Sequence, residues 1–320
     1  MLDEWISAGR FIQDDMPFYY VYELTMDGRS QTGIVACASI DDYANGIIKK
    51  HENTRADKEV DRITHVDTVG AQTGPIFLAY RDDENINSVV NEVIKGDPLY
   101  DFVSDDGIAH RVWKISDESA CEKIRSAFSD ISDIYIADGH HRAASAVKVG
   151  LKRREDRKGD SLDIKADQRT ESDYFLSVLF PQSELKIYDY NRTVKDLNGL
   201  SAEEFLDRIS ENFDIAKHDG SVRPKEKGEF GMYLEGEWYT LKAHRDLYDG
   251  KDVVGALDVS LLQDYLLGPV LGIGDPRTDK RIDFIGGIRG LEELERRADT
   301  DMKVSFSMYP TSIGELFAVA

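Results

Sequence analysis

Aromatic and aliphatic residues alternate with polar ones through PFYYVYELTM, a turn follows at DGRS, and the alternation resumes in QTGIVACASI. A period of two on either side of a short Asp-Gly turn predicts a β-hairpin. YDFVSDDGIAHRVWKI repeats the plan with Asp106-Gly107 at its turn, and EFGMYLEGEWYTLKA is a third hairpin. The runs GPIFLAYR, DIYIADG, RIDFIGG and MKVSFSMYP predict further strands, and the unbroken apolar run of YFLSVLFP predicts one buried on both faces. Helical spacing marks the second half of DDYANGIIKKHENTRADKEVDRITHV, where Glu52, Arg55, Glu59 and Arg62 share a face. INSVVNEVIKG, ESACEKIRSAFSD, GLEELERRA and the alanine-rich stretch after DGHHR are helices, and TSIGELFAVA begins a last one. Ser201, with Glu204 three residues on, caps another, and DVSLLQDYLLGPVLGI is helical up to Pro269. Lys152 to Ser172 is charged without apolar period and predicts a surface loop. Many hairpins among helices predict an α+β architecture, not a regular doubly wound sheet.

The chain has 320 residues, enough for two domains or one core with a large appendage. The expected division is a first region over 1–198 and an α/β region over 199–320, whose last strand and helix return to the first. With 41% hydrophobic and 32% charged residues the composition is that of a packed globular protein. No apolar run approaches the roughly 18 residues of a membrane span, and MLDEWISAGRF is too acidic for a signal peptide. Cys37 and Cys121 fit no metal spacing and read as buried thiols in a reducing cytoplasm. The net charge of −21 argues against nucleic acid as a partner. It also makes any local cluster of basic residues informative. A homo-oligomer is compatible with the sequence and not specified by it.

One such cluster lies in IYIADGHHRAASAVKVGLKRR. Gly139 permits a tight turn or a close backbone approach between strand and helix. The helix start offers unpaired N–H groups and the positive end of its dipole. Arg142 adds a fork of donors matched to phosphate oxygens, and His140 and His141 add donors or metal ligands. A phosphate cradle, a metal site and a plain helix capped by Asp138 all fit. Adjacent histidines diverge on a helix, so phosphate is favoured over metal.

Three further stretches stand out. In KKHENTRADKEVDR, Glu52 beside His51 has the chemistry of a general base, with Lys49, Lys50 and Arg55 as local positive charge; a solvated, ion-paired helix face is the alternative. In YDYNRTVKDLN, Arg192 with Asn191 and Tyr190 suits a substrate carboxylate, against an ordinary loop. In YPTSIGELF, Thr311 and Ser312 face either a ligand or only their own helix, which Glu315 would help to cap.

Together, IADGHHRAASAVKVGLKRR, KKHENTR, TGPIFLAYRD and DPRTDKRIDFIGGIRG resemble the bacterial domain of unknown function family 1015 over essentially the whole chain. DGHHR followed by small residues is also similar to the archaeal free serine kinases, which phosphorylate serine with ADP or ATP. Those enzymes belong to the ParB/sulfiredoxin-like superfamily, which binds phosphates with a Gly-x-x-Arg turn at a helix start. The order of the His-Glu pair, the phosphate turn, the K-x-L-N-like segment and the PT before a last helix is the same.

The resemblance implies a ParB/sulfiredoxin-like core and a cytoplasmic kinase of L-serine, run forward or toward serine from phosphoserine. Glu52, with His51, would take the serine proton. Asp138, Gly139, His140, His141 and Arg142 would hold the phosphates of ATP or ADP, Asp138 reaching Mg²⁺ through water; no residue is assigned as a direct metal ligand. Arg192, Asn191, Thr311 and Ser312 would meet the amino acid. Related proteins usually continue with a basic segment that contributes to the site and carry an added N-terminal segment, so the expectation is a shortened chain. The other readings are a non-catalytic nucleotide switch, which wants a helix-turn-helix and basic surface, and a metal-dependent phosphohydrolase using His140, His141 and Glu52. Sulfiredoxin-like repair would need a cysteine where His140 stands.

Overall fold

The computed structural model describes residues 2–51, 56–158 and 169–320. The chain forms two compact units that divide between Leu185 and Lys186.

In the first unit, β1 (Tyr19–Met26) and β2 (Arg29–Ser39) pair antiparallel, with Met26 opposite Arg29. Asp27 and Gly28 both adopt positive φ, which gives the two-residue turn whose twist matches that of the strands. The other strands are β3 (Ile48–Lys49), β4 (Ile76–Tyr80), β5 (Tyr100–Val103), β6 (Ala109–Ile115), β7 (Ile134–Asp138) and β8 (Tyr174–Pro181). They make one eight-stranded sheet in the order β3-β7-β4-β8-β2-β1-β6-β5. Pairing is antiparallel except for β3 with β7 and β4 with β8, which run parallel. The helices are α1 (Leu2–Ser7), α2 (Ile40–Ala44), α3 (Ala56–Val69), α4 (Glu84–Val93), α5 (Glu118–Asp130) and α6 (His140–Lys158). Asp83 and Asp117 cap α4 and α5 by accepting from backbone N–H groups of the first turn. Ile86, Val89, Ile124 and Ala127 from these helices join Leu78, Ile136, Ala143, Ala146 and Val147 in one core.

The loop expected from Lys152 begins later, because α6 continues to Lys158. The basic side chains of its last turns have acidic partners. Arg153 pairs with Asp67 of α3, Arg154 with Asp41 of α2 and with Asp173, and Arg157 with Asp173. Cation placement at a helix C-terminus also suits the dipole. Cys37 is exposed and Cys121 half-buried, so neither is the fully buried thiol the apolar context suggests.

The second unit holds β9 (Tyr190–Val194), β10 (Phe213–His218), β11 (Glu229–Leu234), β12 (Glu237–Ala243), β13 (Ile282–Gly286) and β14 (Val304–Ser307). They form an antiparallel sheet in the order β10-β12-β11-β14-β9-β13. β9 pairs with β13 and β14, so 186–198, which the sequence reading grouped with the first region, belongs to the second unit. Its helices are α7 (Ala202–Ile209), α8 (Asp258–Leu262), α9 (Glu292–Thr300) and α10 (Ile313–Val319). The Ser201–Glu204 capping box forms as expected. A π-helical turn, Gln263–Leu267, carries α8 toward Pro269. Phe205, Phe230, Leu241, Leu266 and Phe306 lie in one core, while Leu294 of α9 packs with Tyr233 and Trp238.

Candidate functional site

The parallel pair β3 and β7 places Ile48 beside Ile134 and Lys49 beside Tyr135. Residues that follow these strands therefore emerge at one edge of the sheet. His51 and His140, far apart in sequence, meet there with ring centroids 4.5 Å apart at 85°. His140 is buried, at 5% exposure, and His51 is half-buried.

Gly139 joins β7 to α6 at φ +95°, a conformation that a side chain would strain. Its carbonyl accepts from the Ala143 N–H at 2.9 Å and so opens the helix. Arg142 turns back along the first turn, and its Nη2 donates to Asp138 Oδ2 at 2.6 Å. A Cβ on Gly139 would lie 2.9 Å from Arg142 Nε, and one on Gly74 would lie 3.4 Å from Arg142 Nη1. The guanidinium thus rests against bare backbone on two sides. Both partners of the Arg142–Asp138 pair are solvent-accessible, so the pair is weak and exchangeable. His141 is half-buried, and its Nδ1 has no hydrogen-bond partner among the described residues. Its carbonyl accepts from Ser145 Oγ at 2.7 Å.

Glu52 and Arg55 lie outside the described residues. Glu59, on the same predicted helical face, is 7% exposed and pairs with Lys148 of α6. Burial, and next the Glu59 charge, push the Tyr43 phenol up. Lys50 Nζ lies 4.5 Å over the Tyr43 ring, and Lys49 pairs with Asp133 at 3.2 Å. The two lysines are thus engaged locally.

Sequence reasoning did not single out Arg62 and His65 of α3 or Thr73 and Gly74 before β4 as site residues, yet they line a small cavity together with Arg142. The antiparallel pairing of β4 with β7, Phe77 opposite Asp138, is what draws Gly74 to the turn. That long-range pairing has no local signal in the sequence.

The remaining expected residues belong to the second unit. Asn191 is fully buried; its Oδ1 accepts from Met308 N–H at 2.9 Å and its Nδ2 donates to Asp189 at 2.7 Å. It fastens β9 to the chain after β14, a structural use that the sequence reading did not give it. Ser312 and Glu315 form a reciprocal cap: Ser312 Oγ donates to Glu315 Oε2 at 2.9 Å and accepts from Glu315 N–H at 3.1 Å. The helix-capping alternative therefore describes Ser312, and Thr311 stands half-exposed beside it. Arg192 donates to the Tyr190 carbonyl and lies 4.6 Å over Phe284 and 5.2 Å over Tyr190. The two rings stack 5.3 Å apart. Burial pulls the Arg192 guanidinium down to about 10, which leaves it cationic at neutral pH.

Among the described residues no group of three or more His, Cys, Asp or Glu side chains is placed to hold a metal ion. No helix among them is long and apolar enough to cross a membrane.

The fold is mixed α+β, and the Gly139–Arg142 turn joins a parallel-paired strand to the start of a long helix. The family described as protein of unknown function (DUF1015) matches residues 1–260, and the chain belongs to it. No curated protein matches the sequence. Among solved structures, a mutant free serine kinase in complex with AMP is 14% identical with a TM-score of 0.40, covering 88% of this chain and 80% of that one. A mutant in complex with ADP is 16% identical with the same TM-score and coverage. A conserved hypothetical protein from Pyrococcus furiosus is 14% identical with a TM-score of 0.36, covering 88% and 82%. Similarity this low leaves the function of this chain to its own residues.

Proposed function

We propose that this protein is a nucleotide-dependent phosphotransferase with a ParB/sulfiredoxin-like core, acting on a small alcohol, with free L-serine the leading substrate and ATP or ADP the donor. The observation that carries the reading is the convergence at one sheet edge of His51, His140 and the Gly139–Arg142 turn at the head of α6. Helix-start N–H groups and Arg142 suit an anion, and the Asp138 pair is loose enough to release the guanidinium to a phosphate.

In the proposed reaction the serine hydroxyl oxygen attacks the terminal phosphorus of the nucleotide. The new P–O bond forms as the bond to the nucleotide's bridging oxygen breaks, and the shortened nucleotide leaves. Glu52 takes the hydroxyl proton, as its position next to His51 in sequence suggests. His140, His141 and Arg142 balance charge on the transferred group. Asp138, an exposed carboxylate at the turn, fits contact through water with a nucleotide-borne Mg²⁺, which would neutralise phosphate charge. In the second unit, the Arg192 guanidinium backed by Tyr190 and Phe284 has the chemistry for a carboxylate.

The test is incubation with Mg²⁺, labelled serine and either ATP or ADP, followed by separation of phosphoserine, with Glu52→Gln alongside. Phosphoserine formed by the native protein and lost in Glu52→Gln is expected. No product with either nucleotide overturns the reading, whereas equal product from Glu52→Gln overturns only the assigned base.

A further inference from the structure

Two cavities run along the side of α6. The smaller, about 30 Å³, is lined by Arg62, His65 and Arg142 and, among the described residues, by no carboxylate, in a chain of net charge −21. The larger, about 270 Å³, reaches Glu171 and Tyr174 at its far end. Both are bounded by Val66, Gln72 and Ala146, so they form one trough.

Its walls are built of small or fixed groups. Val66 of α3 and Ala146 and Val149 of α6 line it. Gln72 is held on both sides of its amide: Nε2 donates to the Tyr174 carbonyl at 3.1 Å, and Oε1 accepts from Leu176 N–H at 2.9 Å. At Gly150 a Cβ would come within 2.3 Å of the Ser172 carbonyl oxygen, so bare backbone closes that side. Arg153 also lines the larger cavity but is paired with Asp67, which leaves Glu171 as its unpaired charge among the described residues. The Arg62 and His65 side chains make no hydrogen bond or ion pair among the described residues, and the Glu171 carboxylate accepts no hydrogen bond among them. A ligand matched to this trough is anionic at one end, apolar in the middle, and carries an N–H donor at the other. Small-molecule sites run roughly 300–1,000 Å³, so the space suits one compact ring system.

We infer that the trough is the nucleobase subsite of the proposed nucleotide, with Val66 and Ala146 enclosing the base and Glu171 accepting from an exocyclic amine. The inference rests on the nucleotide reading above and adds a base preference to it. Bases with an amine, such as adenine, are preferred over hypoxanthine, which presents a carbonyl to the carboxylate. Arg62 and His65 extend the phosphate end beyond Arg142.

Calorimetric titration of the full chain with ADP, IDP and pyrophosphate tests this. The native protein is expected to bind ADP more tightly than IDP. Val66→Phe is expected to weaken ADP by about tenfold or more while pyrophosphate stays within about twofold. Glu171→Ala, an exposed position where folding is not at stake, is expected to erase the ADP over IDP preference and leave pyrophosphate unchanged. If both variants bind ADP and IDP as the native protein does, or if the native protein binds pyrophosphate but not ADP, the subsite is overturned and the phosphate turn stands. A native protein that binds neither ADP nor pyrophosphate overturns the nucleotide reading and the subsite with it.

Discussion

At the scale of single residues, burial decides what the sequence leaves open. Asp258 is 8% exposed; its Oδ1 accepts from the Gly228 N–H at 2.9 Å, while Oδ2 is buried without a hydrogen-bond partner among the described residues. Burial pushes its carboxyl up to about 6 from the usual 3.8, against the pull of the Gly228 N–H and Lys227. Between those two values the folded chain keeps a proton that the unfolded chain has lost. Stability therefore falls as pH rises through that window, by an amount on the order of 3 kcal/mol. Asp258→Asn is expected to raise the unfolding midpoint at pH 8 and to leave it near the native value at pH 4, measured by thermal melts at both. An equal shift at both pH values would dismiss the buried charge as the cause. Nothing in DVSLLQDYLL marks Asp258 as buried, whereas Asp138, Gly139 and Arg142 were legible because turn, helix start and guanidinium lie within five residues. Asn191 and Ser312 carry residue types that suit a ligand, and only their surroundings reveal the carbonyls, carboxylates and N–H groups they serve.

At the scale of elements, Asp173 joins the end of α6 to the start of β8. It is fully buried and accepts from Arg154, Arg157 and the Thr170 N–H. Burial alone would raise its carboxyl, but the Thr170 N–H and Arg154 together hold it below the usual range. Its contribution is present above the ordinary carboxylate pKa and is lost on acidification through the lowered one. Asp173→Asn leaves Arg157 without its carboxylate and Arg154 with Asp41 alone, and is expected to cost about 3 kcal/mol, read from the denaturant midpoint at pH 7. A smaller loss when Arg154→Met is added would trace the effect to the ion pair. The hairpins were legible in the sequence because turn chemistry and period two are local, as at Asp27-Gly28 and Glu235-Gly236. The last turns of α6 were not, since their basic residues gain helical order from acids on α2, α3 and the approach to β8. β10 was missed for a related reason: FDIAKH carries little apolar pattern, and its pairing with β12 makes it a strand.

At the scale of the whole molecule, each unit closes its own sheet and fills its own core, β8 ending the first sheet before β9 enters the second. A fragment spanning 186–319 is accordingly expected to unfold cooperatively on its own, with coincident loss of far- and near-ultraviolet circular dichroism. A fragment without a sigmoidal transition would show that the units are not independent in folding. No Pro- or Gly-rich linker marks the division in FPQSELKIYDY, which is why the sequence alone did not locate it. What the sequence determined by itself is local: strand and helix periods, type I′ turns, caps, the acidic surface, and a basic strand-to-helix turn. Each depends on residues a few positions apart, where backbone sterics and side-chain reach suffice. The tertiary structure alone decided that β3 lies parallel to β7, that His51 therefore meets His140, and that α3 and the backbone before β4 build a trough beside Arg142. Those meetings join residues up to some ninety positions apart, and they follow from burying apolar faces in one shared core, which no local pattern encodes.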